Sequence, residues 1–84
     1  MTDNLNNIDT KEASILFDAG ALISLNAVPA PLNPSCWMLL VFAKNRKEPY
    51  VLAAQREPVR LFKSADAVIS TANKIGFKNI KFTF

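Results

Sequence analysis

CWMLLVFA, residues 36–43, is the most hydrophobic run in this chain of 84 residues. Eight consecutive apolar residues between polar flanks are typical of a strand that lies inside a sheet rather than at its edge. We therefore expect residues 36–43 to form a central strand with both faces largely covered. The run is too short to cross a bilayer, which takes about 20 apolar residues.

Downstream of this strand, the sequence predicts short elements separated by turns. Residues 44–48 are charged and predict a hairpin loop, and residues 49–55 predict the return strand. Residues 56–58, Arg-Glu-Pro, predict a second tight turn. Residues 59–62 then predict a fourth strand, because a proline is tolerated where a strand begins.

The C-terminal part predicts a capped helix followed by a final strand. Ser64 can cap the helix, and Asp66 in its first turn suits the helix dipole. Gly76 can end the helix in a left-handed conformation, with Phe77 in the contact position after it. Residues 79–84 alternate between apolar and polar and predict a half-buried strand. The apolar stripe of the helix consists of Ala65, Val68, Ile69, Ala72 and Ile75.

The N-terminal part predicts a tail and a short helix. Residues 1–8 are mostly polar, and we expect them to be disordered. Asp9 and Glu12 stand at the spacing of a capping box, which predicts a helix over residues 10–19. Gly20 can end this helix, because glycine adopts the left-handed conformation without steric cost.

Two segments connect this helix to the central strand. Residues 21–27 fit either a continued helix or a strand, and we favour the strand because Gly20 and Pro29 bound the segment. Residues 28–34 contain three prolines, which cannot donate ladder hydrogen bonds. We therefore expect an extended connecting loop at residues 28–34 and not part of a central strand.

The predicted order of elements is α-β-β-β-β-α-β. This order predicts an α+β fold in which the helices pack on one face of an antiparallel sheet, as a single domain over residues 9–84. Half of the residues are hydrophobic, which is a large share for a domain this small. Self-association would hide the surplus apolar surface, so a homodimer is one expectation.

The composition argues against catalysis and metal binding. The chain has no histidine and a single cysteine. We take this to exclude an internal disulfide, a zinc site, a histidine general base and a Cys/His nucleophile pair. Its two glycines cannot build a phosphate-binding loop. We expect a non-enzymatic protein with no cofactor, metal or membrane contact. The N-terminus has no basic segment followed by an apolar one, so we expect a cytoplasmic protein.

The charge is unevenly distributed along the chain. Residues 44–84 carry nine cations against three acids, whereas residues 1–43 carry one cation and four acids. A basic half can bind nucleic acid or an acidic protein, although a solvated surface would carry the same charge. The candidate nucleic-acid-binding residues are Arg46, Lys47, Arg56, Arg60 and Lys63.

Two aromatic side chains, Trp37 and Phe62, are candidate interface residues. If Phe62 is exposed beside Arg60, the pair could hold single-stranded nucleic acid by stacking and charge. Alternatively, Phe62 packs under the helix start and Arg60 pairs with Glu48 or Glu57. Trp37 is either a core residue or the anchor of a dimer interface, where tryptophan is enriched.

A set of short motifs resembles a known group of proteins. Over about residues 13–84 the chain resembles small proteins encoded on bacterial plasmids and integrative elements, some of them labelled partition-associated accessory proteins. The resemblance implies a mobile-element setting and a non-enzymatic accessory role, and it supplies no site residues. One departure from this group is the proline-rich segment at residues 28–34, where the resemblance would lead us to expect a glycine-containing turn before Trp37. The motifs are Ala19-Gly20-Ala21, Trp37 at the start of the apolar strand, VLAAQRE at residues 51–57, VRLFKS at residues 59–64 and Ile75-Gly76-Phe77.

Three functions remain open at this point. The first is an accessory protein that acts by binding a macromolecular partner. The second is direct nucleic-acid binding through the basic hairpin and a sheet face, and the third is a protein-interaction or inhibitor module. The expected partner is accordingly a protein, a nucleic acid or both.

Overall fold

The computed structural model describes residues 7–31, 33–44, 46–53 and 59–83. Within these residues the chain forms two helices and five strands, which confirms the α+β class. The elements in chain order are β1 (Asn7–Ile8), α1 (Thr10–Asp18), β2 (Leu22–Ala30), β3 (Asn33–Ala43), β4 (Tyr50–Leu52), α2 (Ala65–Ile75) and β5 (Lys81–Phe82).

The order of the elements differs from the prediction at two places. Asn7 and Ile8 form a strand that pairs with β4, although the sequence predicts a tail there. The predicted strand at residues 59–62 is reduced to one isolated bridge between Phe62 and Trp37. A two-residue pairing such as β1 leaves no alternation in the sequence, and the alternation at residues 59–62 does not show how many of these residues find a partner strand.

The described strands form one mixed sheet in the order β1-β4-β3-β2-β5. The central strand β3 pairs antiparallel with both neighbours, whereas β1 pairs parallel with β4 and β5 pairs parallel with β2. The prediction of a purely antiparallel sheet was therefore wrong. The physical reason is that each helix connects two strands that run in the same direction, β1 to β2 and β4 to β5.

Both helices lie on the same face of the sheet, as predicted. The connection through α1 passes from the first position of the sheet to the fourth, and the connection through α2 passes from the second to the fifth. Two crossovers of the same hand and direction must place their helices on the same side. α1 and α2 accordingly pack against each other.

The local signals for the helix ends are confirmed. The Glu12 N–H donates to the Asp9 carboxylate at 2.7 Å and the Asp9 N–H donates to the Glu12 carboxylate at 3.1 Å, which completes the capping box. At the start of α2, the Ala67 N–H donates to the Ser64 hydroxyl at 3.1 Å. Gly76 ends α2 with a φ of +131°.

β2 and β3 form a long hairpin that includes most of the predicted loop. Residues 22–27 are strand, which confirms the favoured alternative, but β2 continues through Pro29 and β3 starts at Asn33. The prediction of a loop over residues 28–34 was therefore wrong. β5 pairs with β2 at Asn26 and Ala27, so Pro29 lies beyond the paired part of that edge and its missing N–H removes none of the described β2–β5 pairing.

The hydrophobic core lies between the two helices and one face of the sheet. Leu39, Val41 and Leu52 from the sheet are fully buried against Val68 and Ile75 from α2. The alternate positions of β3 point away from the helices and are only partly buried. Met38, Leu40 and Phe42 occupy these positions, so both faces of β3 are largely covered as expected, but only the helix side is fully buried.

Candidate interaction surfaces

The sheet face opposite the helices carries a cluster of partly exposed apolar side chains. Residues directly opposite each other on paired strands present their side chains on the same face. Leu40 lies opposite Val51 on β4, and Met38 lies opposite Val28 on β2. With Phe42, which shares the parity of Leu40, these residues form what we call the open sheet face: Val28, Met38, Leu40, Phe42 and Val51.

Polar residues flank the centre of the open sheet face on both sides. One row of opposite residues crosses all five strands, and Leu40 is its middle member. The structure describes every residue in this row, and Lys81 is its one charged member. The Thr83 hydroxyl also donates to the Asn26 side chain at 3.0 Å on this side of the sheet. In sheet order the row is Asn7, Val51, Leu40, Asn26 and Lys81.

A second surface forms at the end of the sheet where the β3–β4 hairpin turns. The first residue of this hairpin, Lys44, donates its N–H to the carbonyl of Ala21 at 2.9 Å, next to the start of β2. Phe17 of α1, Leu22 of β2 and Phe77 after α2 line one groove of about 510 Å³ at the same end. The end of α1, the start of β2 and the end of α2 therefore meet there.

This topology brings cations from separate parts of the chain to one end of the molecule. We call this set the basic end, and Asp18 and Glu48 partly offset its charge. At the other end of the sheet, around the starts of both helices, the described charges balance. The basic end consists of Lys44, Arg46, Lys47, Lys74 and Lys78. The opposite end carries Lys11, Arg60 and Lys63 against Asp9, Glu12 and Asp66.

The side chains of the basic end differ in how firmly they are held. The Arg46 guanidinium lies 4.0 Å from the centroid of the Tyr50 ring, and its Nε donates to the carbonyl of Glu48 at 3.3 Å. These contacts hold Arg46 against the hairpin by a cation–π interaction and a hydrogen bond. The four lysines of the basic end are exposed. They are therefore the side chains of this surface that can reach a polyanion.

Arg60 and Phe62 do not form the exposed pair that stacking on nucleic acid requires. Phe62 is 3% exposed, and its backbone exchanges two hydrogen bonds with Trp37 at 2.8 and 2.9 Å. The Arg60 guanidinium lies 5.0 Å from the Phe62 ring centroid and donates to the Thr10 hydroxyl at 3.4 Å. Arg60 thus ties residues 59–62 to the start of α1. Its partners among the described residues are the Thr10 hydroxyl and the Phe62 ring, and Glu57, one of the two acids that the sequence suggests, lies outside those residues.

The five cations predicted as one nucleic-acid site are separated in the fold. Arg46 and Lys47 belong to the basic end, whereas Arg60 and Lys63 lie at the opposite end of the sheet. Arg56 lies outside the described residues. The sequence carries no signal that would have added Lys74 and Lys78, because their proximity to the hairpin depends on the order of the strands.

Trp37 lies on the helix side of the sheet and not on the open sheet face. Its ring is partly buried and makes an edge contact with Phe82 at a centroid distance of 5.2 Å. This is the packing alternative of the sequence interpretation. The neighbouring Cys36 is buried at 6% exposure, as expected for a small apolar residue. Sequence reasoning missed Met38, Leu40 and Phe42 because every residue of the run is apolar.

Neither a cluster of metal-ligating side chains nor a membrane-spanning helix is found in the part of the chain that the structure describes. The described Cys, Asp and Glu side chains nowhere come together as a group of three that could hold a metal ion. None of the described helices has the length and apolar character needed to cross a membrane.

Comparison of the chain with protein-family models, with curated proteins and with solved structures gives no match. The two surfaces are therefore interpreted from their own chemistry. One is an apolar sheet face with a polar flank on each side, and the other is a cluster of exposed lysines. Each suits a different kind of partner.

Proposed function

We propose that this protein is a small non-enzymatic binding protein that acts by contact with another protein chain through its open sheet face. One observation carries the proposal: the centre of this face is apolar and partly exposed, although both helices are used to cover the other face. Contiguous apolar surface of this kind marks interaction sites in folded proteins. The resemblance to plasmid and integrative-element proteins supports an accessory role in that setting.

The proposal predicts a covalent adduct when a photoreactive group is placed on the open sheet face. Phe42 is replaced by p-benzoylphenylalanine, a photoreactive aromatic residue of related shape, and the protein is irradiated in cells of its own host. We expect a crosslinked species on denaturing gels, because the side chain at this position faces the bound partner. Mass spectrometry then identifies what was captured.

The matched control places the same group at Ile15, which is 59% exposed on α1, on the helix side of the molecule. We expect little or no adduct from this position. Absence of an adduct from Phe42, or equal adducts from both positions, would show that the open sheet face is not the binding surface.

A second candidate function is nucleic-acid binding by the basic end. The observation that favours it is the convergence of Lys44, Lys47, Lys74 and Lys78 from two separate segments of the chain. Lysines that contact phosphates release condensed counterions, which makes binding favourable and dependent on salt. Lys74 also stabilises the C-terminal end of α2 through the helix dipole, so Lys47 and Lys78 are the better probes.

The double variant Lys47→Gln/Lys78→Gln is expected to bind double-stranded DNA more weakly than wild type at every sequence tested. The slope of log affinity against log salt concentration should fall in magnitude by about 2, because each substitution removes one lysine that can neutralise a phosphate. Gel retardation or fluorescence anisotropy over a salt series measures this slope. Glutamine removes the charge but keeps a flexible polar side chain at these exposed positions, so folding should be unchanged.

The double variant Lys11→Gln/Lys63→Gln is the control for this experiment. It removes the same charge from exposed positions at the other end of the sheet. We expect its salt slope to match that of wild type. Equal losses for both variants, or no retardation of DNA by wild type at low salt, would rule out the basic end as a nucleic-acid site.

A further inference from the structure

We propose that the partner of the open sheet face is a second copy of this chain, stacked face to face about a two-fold axis that runs parallel to the strands. This inference rests on the proposed function, because it concerns the same face. It goes further by naming the occupant and its orientation.

The widest row of the open sheet face is centred on its middle strand, although β2 pairs with β3 over a longer stretch than β4 does. β3 is the third of five strands, and its residue Leu40 is the middle member of the row from Asn7 to Lys81. An isologous interface requires a patch that is complementary to itself. An apolar strip along the middle of the sheet satisfies this requirement, since the strips of two copies can pack on each other about 10 Å apart.

The single charge of the central row selects one of two possible axes. An axis across the strands would place the two Lys81 side chains opposite each other, and like charges in contact oppose association. An axis along the strands instead places Lys81 of each copy opposite Asn7 of the other. The amide oxygen of asparagine can accept a hydrogen bond from the lysine ammonium group. We therefore place the axis along β3.

The area of the face indicates a weak dimer. β2 and β3 pair over about 30 Å, and the shorter strands widen the sheet to about 20 Å at its middle row. The strand ladders alone then offer about 400 Å² per copy, roughly half of what a standard interface contributes. So small an area favours a weak dimer, and we expect dissociation in the micromolar range or above.

Leu40→Lys tests the dimer, with Ile15→Lys as the matched control on the helix side. Light scattering of the wild type across a concentration series should rise from the monomer mass of 9.3 kDa toward twice that value. Leu40→Lys should remain at the monomer mass, and Ile15→Lys should follow the wild type. Circular dichroism confirms that both variants are folded. A wild type that stays monomeric at millimolar concentration, or a Leu40→Lys variant that dimerises like wild type, would overturn the inference.

A distance between spin labels tests the orientation. Labels attached through Lys44→Cys in a Cys36→Ala background lie just after the end of β3, four residues from Leu40, and leave Lys81 in place. Their Cα atoms should be about 10 Å apart with the axis along the strands, but about 30 Å apart with the axis across them. The longer distance would overturn the proposed orientation.

The crosslink at Phe42 separates this inference from the function on which it rests. An adduct with twice the mass of the chain supports both. An adduct with a different protein, together with a monomeric wild type, supports the proposed function and refutes the second copy. Absence of any adduct refutes both.

Discussion

Leu39→Ala is expected to lower the free energy of unfolding by about 2–5 kcal/mol, whereas Leu40→Ala should cost about 1 kcal/mol or less. The two residues are neighbours on β3 and differ in the face they occupy. Leu39 is fully buried beneath the helices, so its truncation leaves a cavity. Leu40 lies on the open sheet face and is partly exposed before any change.

The loss at Leu39 is large compared with the stability of so small a domain. A chain of 84 residues is expected to have a free energy of unfolding of about 4–13 kcal/mol. Removing about 2–5 kcal/mol would leave a detectable unfolded fraction at the lower end of that range. The free energy of unfolding of the wild type is therefore measured first, and those of both variants are compared with it.

Urea unfolding monitored by circular dichroism measures both free energies. The protein concentration must be low enough that the midpoint no longer changes with concentration, because association at Leu40 would otherwise add to the apparent stability. If Leu40→Ala costs as much as Leu39→Ala under these conditions, the assignment of the two faces of β3 is incorrect. The experiment thus tests the fold and the open sheet face together.

The helix boundaries could be predicted from the sequence because their signals are local. Asp9 and Glu12 are three residues apart, and the capping box that they form needs no other part of the chain. The same holds for Ser64 at the start of α2 and for Gly76 at its end. In each case the capping residue and the backbone groups that it contacts lie within about one helical turn.

The sheet could be predicted only in part, because strand order depends on contacts between distant residues. β1 has two residues, and its pairing with Leu52 and Val51 leaves no pattern that distinguishes it from a tail. The two edge strands pair parallel with their neighbours because each helix connects two strands of the same direction. These connections can be recognised in the sequence only once the strands are known. Pro29 is an exception to the rule that proline is excluded from inner strands. It is tolerated in β2 because β5 does not pair with β2 at that position.

The candidate surfaces illustrate the same division between local and distant information. The uniform hydrophobicity of residues 36–43 correctly predicts a central strand, but it hides which side chains the helices cover. Arg46 and Arg60 look equivalent in the sequence, yet the fold places them at opposite ends of the sheet. Their separation cannot be recognised without the order of the strands.

The proposed dimer would connect the two surfaces. A two-fold axis along the strands keeps the strand direction of both copies the same, so their hairpins lie on the same side of the assembly. The two basic ends would then form one doubled cationic surface, and a bivalent protein binds a polyanion with higher avidity than a monomer. With the axis across the strands, the basic ends would point in opposite directions and would not form a joint surface.

Gly76→Ala is expected to destabilise the protein by about 2–5 kcal/mol, because it combines backbone strain with a steric clash. Gly76 has a φ of +131°, which side-chain-bearing residues rarely adopt. A Cβ atom at this position would lie 2.5 Å from Cδ2 and 2.6 Å from Cε2 of Phe17. The Phe17 ring would have to move, which would disrupt its edge-to-face packing on Phe77 at a centroid distance of 4.7 Å.

Gly20→Ala is the matched control, because Gly20 has a φ of +75° and a Cβ atom at this position would have no neighbouring atom within 4 Å. This substitution should cost about 1 kcal/mol or less. The strain of alanine in the left-handed conformation is partly offset, because alanine lowers the conformational entropy of the unfolded chain. A double-mutant cycle with Phe17→Leu then separates the two contributions at Gly76. If the clash is real, Gly76→Ala should cost less beside Leu than beside Phe, because the smaller side chain makes room. Equal costs in both backgrounds would assign the whole penalty to the backbone, and a Gly76→Ala penalty no larger than that of Gly20→Ala would contradict the close packing of α1 against the end of α2.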